Sequence, residues 1–151
     1  MNKTQEHVNW IQTEHEKIAG LSARLQERVA VVPRANQTRW IADVTAAFEH
    51  FRAHLVRHQA LEEEGGYMLG VVELRPALSR EVERLAHEHL EIDHIMADIQ
   101  RQLEDLKPDD NLRIRDACRR IQNLLLYLEH HEHEENLLVV SVFLNDLGTE
   151  D

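Results

Sequence analysis

The chain is short of the residues that interrupt or cross-link a fold. Its 151 residues include five glycines, three prolines and one cysteine. A lone thiol, Cys118, excludes an internal disulfide and fits a reducing compartment. Basic residues are outnumbered: 17 Lys and Arg stand against 28 Asp and Glu, for a formal charge of −11. That balance argues against a nucleic-acid partner, which needs a basic face, and against adhesion to an anionic membrane. No apolar run approaches the length that spans a bilayer. The opening Met1-Asn2-Lys3-Thr4-Gln5-Glu6 has no apolar stretch behind it, so no signal peptide is visible and the expected location is cytoplasmic. With no linker or low-complexity stretch, the length predicts one domain over residues 1–151. What the chain has in excess is histidine, eleven in all.

The few breakers fall at useful places: Pro33, the group Gly65, Gly66, Gly70 and Pro76, then Pro108 and Gly148. Between them lie four segments with helical periodicity, at about 3–31, 34–64, 77–106 and 110–146. The first carries Val8, Ile11, His15, Ile18, Leu25 and Val29 on one face. The second carries Ile41, Val44, Phe48, Phe51, Leu55, His58 and Glu62. The third carries Val82, Leu85, His89, Ile92, Met96 and Ile99, and the fourth Ile121, Leu124, Leu128, His131, Glu135, Leu138 and Val142. Alternating steps of three and four are the pattern of a bundle seam. Short first and third connections make neighbours antiparallel. The reading is all-α: an up-down-up-down antiparallel four-helix bundle, whose longest connection, about 65–76, is a loop. Asp109 or Asp110 is placed to cap the fourth helix.

Two stretches then stand out, His58-Gln59-Ala60-Leu61-Glu62-Glu63 and His131-Glu132-His133-Glu134-Glu135-Asn136. Each sets a histidine four residues before a glutamate, one turn apart on one helix face. Stepping back along the seam from His58 meets Leu55, Phe51 and Phe48; from His131, Leu128, Leu124 and Ile121. Both histidines therefore point inward, where imidazole and carboxylate are costly unless something pairs with them. His15 and His89 pass the same test. His130 fails it, and His7, His50, His87, His94 and His133 fall on or near polar faces or off the seam. The antiparallel order brings His15, His58, Glu62, His89, His131 and Glu135 to one level. Four imidazoles and two carboxylates suit two metal ions with open positions, of a kind that fits non-haem iron, manganese or zinc.

Other residues have plainer readings. A buried histidine alone is ordinarily a core residue, and His-x-x-x-Glu also stabilises a surface helix; the convergence of six residues carries the metal reading. Glu63, Glu64, Glu132 and Glu134 read as solvated faces, with loose collection of cations near the site entrance as the alternative. His54 lies at the edge of the inward face, and Asp93 is one turn after His89, in reach of bonding to it or of ligation. Tyr67 reads as packing at the turn after the second helix, with a hydrogen bond to the metal layer as the alternative. Cys118 reads as an inert core thiol. The run Val139 to Leu144 reads as extra core beneath the 65–76 connection or as a subunit interface.

On these motifs the chain resembles the hemerythrin-like, HHE cation-binding family over about residues 5–145. The family pattern, histidine, His-x-x-x-Glu, histidine, His-x-x-x-Glu, falls on His15, His58 with Glu62, His89, and His131 with Glu135. The resemblance implies a non-haem diiron centre, with the histidines as terminal ligands and Glu62 and Glu135 bridging across an oxo or hydroxo group. Glu135-Asn136 also resembles the family's iron-sulfur repair branch. Two departures from the oxygen carriers stand out: Asp93 replaces a second third-helix histidine, and Asn136 replaces an aspartate. Both disfavour simple reversible oxygen carriage.

Three functions follow as expectations. The first is a cytosolic diiron protein that binds or senses dioxygen, nitric oxide or peroxide, or handles iron. The second is an enzyme reducing peroxide or nitric oxide, or donating iron for cluster repair, served by a separate electron-donor protein. The third is a purely structural metal site, whose folding weakens as protons compete for the histidines.

Overall fold

The computed structural model describes residues 3–144, and these form an antiparallel four-helix bundle without strands. The long helices are α1 (Lys3–Ala30), α2 (Gln37–Glu63), α4 (Ser79–Asp105) and α5 (Asn111–Val139). A short helix, α3 (Tyr67–Leu74), and a 3₁₀ turn, Pro76–Leu78, link α2 to α4, and a π-turn, Val140–Leu144, follows α5. Each long helix packs against two others, in the cyclic order α1, α2, α4, α5. The seam residues are buried as the periodicity predicts, from Val8, Ile11 and Ile18 on α1 to Ile121, Leu124 and Leu128 on α5. Among the described residues no helix is long and apolar enough to cross a membrane.

Three details differ from expectation. The 65–76 connection is not a loop, because it contains α3. Eight residues form no stable helix in isolation; α3 exists because Tyr67, Met68 and Val71 bury themselves against Val139, Val142 and Phe143. The tail of the fourth segment is thus core beneath α3, and the π-turn carries Val142 and Phe143 together into that contact. Residues 145 and 146 of that segment, and Gly148, lie outside the described residues. Second, α2 starts at Gln37 rather than 34, since Asn36 is left-handed at φ 58°. Third, Asp110 holds the N-cap position of α5 without a side-chain cap, and Asp109 is left-handed at φ 69°. The Asp110 carboxylate pairs instead with Arg113 at 3.4 Å.

The turn into α3 requires its two glycines. Gly65 sits at φ +80°, where an L side chain is strained. A Cβ on Gly66 would collide with the Leu61 carbonyl oxygen and lie 2.7 Å from that of Glu62. This tight return brings Tyr67 back over the end of α2. At the opposite end Gln37 ties two connections together: its amide donates to the Pro33 carbonyl at 3.0 Å and accepts from the Asp109 N–H at 2.7 Å.

The apolar interior lies in two parts. One, around Phe48, Phe51, Ile92, Met96, Ile121 and Leu128, fills the Gln37 end. The other, around Val8, Ile11, Tyr67, Val82, Leu85 and Phe143, fills the α3 end. The histidines and glutamates of the seam occupy the level between.

Candidate metal centre

The seam of each helix changes chemistry at this level. On α1 the sequence runs Ile11, His15, Ile18; on α2 it runs Leu55, His58, Glu62; on α4 it runs Leu85, His89, Ile92; on α5 it runs Leu128, His131, Glu135, Val139. All six polar side chains are buried, His15 at 8% exposure and Glu62 and Glu135 at 0%. The structure brings together every residue the seam selects. They form two donor groups: His15, His58, Glu62 and Glu135, and His89, His131 and Glu135. Within each group the candidate ligand atoms lie within 4.8 Å of one another. Glu135 belongs to both.

The orientation of the imidazoles is specific. The Nε2 atoms face inward. His58 Nε2 is 3.0 Å and His89 Nε2 3.3 Å from Glu62 Oε1, and His131 Nε2 is 3.2 Å and His15 Nε2 3.5 Å from Glu135 Oε1. The Nδ1 atoms face outward to acceptors. His15 Nδ1 donates to Asn136 Oδ1 at 2.9 Å, His89 Nδ1 to Glu63 Oε2 at 3.2 Å, and His131 Nδ1 to Glu88 Oε1 at 2.7 Å. His58 Nδ1 lies 3.6 Å from Glu14 Oε2, and the Trp10 indole stacks on its ring at 5.2 Å. A carboxylate or amide oxygen can only accept here, so in His15, His89 and His131 the proton sits on Nδ1. In the neutral ring the Nε2 lone pair is then left for a ligand. Partners of this type fix the ring and raise its basicity toward a metal.

The donor set fits a metal by a second criterion. All four Nε2 atoms, both Glu62 oxygens and Glu135 Oε1 are buried without a hydrogen-bond partner. With neutral imidazoles each such group costs about 1–3 kcal/mol when left unsatisfied, and seven in one layer call for shared positive charge, supplied by a metal or, without one, by protons on the rings. Mixed imidazole and carboxylate donors suit iron, manganese or zinc.

Several roles differ from the sequence reading. Tyr67 is more than packing: its hydroxyl donates to Glu135 Oε2 at 2.5 Å. Burial, followed by the Glu135 and Glu62 carboxylates, holds its pKa well above the ordinary value. Glu132 is not solvated; its side chain is 13% exposed and Oε2 is 3.3 Å from His15 Nε2. Glu63, though exposed, accepts from His89. Glu134 does lie outside, paired with Arg84 at 2.7 Å and His130 at 3.0 Å, and Glu64 is exposed. Asp93 and His54 enter neither donor group; His54 pairs with Glu14 at 3.3 Å. Cys118 is buried, which pushes its thiol pKa up. The residues missed by the sequence reading share one trait. Glu14, Glu63, Glu88, Glu132 and Asn136 each adjoin an inward residue in sequence, and so project along a helix–helix boundary.

Without metal the layer is an imidazolium–carboxylate network. Burial by itself lowers the pKa of His15 and His89, but Glu135 and Glu62 reverse this and raise both to about 10. His131 is raised for the same reason, chiefly by Glu135. Burial raises Glu135 too, but His131, His15 and His89 outweigh it and hold its carboxyl well below the usual range. The sign of the linkage follows. Between the ordinary histidine value of 6.5 and about 10 the folded protein binds more protons than the unfolded chain. Stability of metal-free protein therefore falls as pH rises through that window. We expect the melting temperature of chelator-stripped protein to drop steadily from pH 7 to pH 10, and metal-loaded protein to lack that slope because its imidazoles are already neutral. A flat profile for stripped protein would contradict the network.

The comparisons with known proteins agree with this geometry at the level of family. Neither the curated proteins nor the solved structures include a significant match to the chain. The family model for the hemerythrin HHE cation-binding domain does match, over residues 6–143. That span takes in all of α2, α4 and α5, α1 from its fourth residue, and every residue of the buried His/Glu layer, and the chain belongs to the hemerythrin HHE cation-binding domain family.

Proposed function

We propose that His15, His58, Glu62, His89, His131 and Glu135 hold two non-haem iron ions, and that the protein binds or senses dioxygen, nitric oxide or peroxide in the cytosol. The observation that supports this is the pair of buried donor groups sharing Glu135, with every Nε2 unpartnered. Six side chains, one of them shared between the groups, would leave two such ions with open positions. Bound iron would supply a redox-active pair with places for a small molecule. The chain's own residues set the conditions around it. Asn136, Glu63 and Glu88 fix three imidazoles by their Nδ1 atoms. Tyr67 orients the shared carboxylate and keeps its proton. The two apolar bodies exclude water from above and below.

An enzymatic reading, reduction of peroxide or nitric oxide or donation of iron, is favoured by one feature. A groove of about 1040 Å³ between α1 and α5 reaches His15, Glu132 and Asn136 from the surface, giving reactants and products a route. An electron-donor protein would then be needed. The test is the absorption spectrum of aerobically purified protein with iron quantified. Two irons per chain and near-ultraviolet absorption of a ferric pair that changes under nitric oxide or peroxide are expected. Steady consumption of either with added reductant favours turnover. A colourless, zinc-loaded protein overturns the iron reading.

A further inference from the structure

Glu132 follows His131 by one residue and so points about 100° away from it around α5. That direction leads to the boundary with α1, not to solvent. Its Oε2 lies 3.3 Å from His15 Nε2 and has no hydrogen-bond partner. The same nitrogen lies 3.5 Å from Glu135 Oε1 and 3.8 Å from Glu62 Oε2. Carboxylate oxygens from three residues thus surround one imidazole nitrogen. The His89 and His131 side has no equivalent: Glu63 and Glu88 sit at the outward Nδ1 atoms, behind the rings. Glu132 alone among these flanking acids reaches the inward face. It is also placed where the α1–α5 groove meets the layer, beside the small side chains of Ala19, Ser22 and Ala23.

We propose that Glu132 is a seventh metal ligand, serving the ion held by His15 and His58. It would make the two ions inequivalent, with the carboxylate-richer one at the floor of the groove. The inference rests on the reading that the layer holds two metal ions, and the test separates the two. Cobalt(II) is titrated into chelator-stripped protein, with affinity read by chelator competition and coordination by the visible ligand-field bands. In the wild type two ions bind in distinguishable steps. Glu132→Gln weakens one step by at least about tenfold and intensifies its bands as the coordination number falls, and the other step is unchanged. Glu132→Asp, which keeps the charge but withdraws it by one methylene, gives the same one-ion effect in smaller measure and keeps the proposal testable if the glutamine variant folds poorly. Glu129→Gln, on the rim of the same groove, leaves both steps intact. Two ions bound with wild-type affinity and bands in both Glu132 variants overturn the seventh ligand. No cobalt bound by the wild type overturns the metal reading beneath it.

Discussion

Replacing Glu135 with alanine is expected to abolish metal binding and to destabilise the metal-free fold by about 3–5 kcal/mol, the usual consequence of removing one partner from a buried charge network. Both donor groups contain this carboxylate, so its loss removes an anionic donor from each of them at once. In the metal-free protein it does most to hold the proton on His131, outweighing the nearer Glu88, and it is a major counter-charge for His15 and His89. It is also the acceptor for the Tyr67 hydroxyl. Four buried groups thus lose a partner together. Against a total stability of about 5–15 kcal/mol this is a large fraction, so the stripped variant should melt roughly 10 °C lower, and the alkaline slope in its melting profile should shrink. Elemental analysis and calorimetry check both parts. Two ions per chain retained with an unchanged melting temperature would show that Glu135 does not join the groups.

The complementary result lies outside the polar layer. Phe48 is 0% exposed and packs against Phe51 with ring centroids 6.3 Å apart. It is ten residues before His58 on α2, about 15 Å along the helix. Phe48→Ala removes a large buried ring and leaves a cavity, at a cost of about 3–5 kcal/mol. For a domain of this size that lowers the melting temperature by roughly 10 °C. The metal content of the folded fraction should remain that of the wild type. The two substitutions carry similar costs in stability and opposite consequences for metal, so chemical denaturation and elemental analysis together separate site from scaffold. Loss of metal from folded Phe48→Ala protein would mean that the layer depends on packing nearly three turns away.

The four long helices were legible because their apolar residues recur at three and four over many turns, and the breakers fall between them. The six inward polar residues were legible for the same reason: each interrupts a stripe otherwise made of Ile, Leu, Val, Phe and Met. Short-range pattern fails where tertiary contact decides. Helix α3 follows two glycines and contains a third, a composition that reads as loop. Gly70 is there because Phe143 and His7 approach to 3.1 and 3.3 Å of where its Cβ would be. Glu63, Glu88, Glu132 and Asn136 sit at positions that face water on an isolated helix. Only the neighbouring helix turns them toward a histidine, and no single-helix periodicity contains that neighbour. Tyr67 depends on the Gly65-Gly66 return, which the sequence marks as a turn without saying which side chain it delivers.

The division of the interior by its polar level has a mechanical consequence. Among the described residues ten buried apolar side chains gather at the α3 end against eighteen at the other, in two separate clusters. Cohesion across the gap is electrostatic in the stripped molecule and coordinative in the loaded one. The smaller end, with its eight-residue helix and the π-turn after α5, is therefore expected to open first. Amide protons of residues 67–74 should exchange well ahead of those around Phe48 when metal is withheld, and ions held in the layer would act as rivets that make the two halves breathe as one.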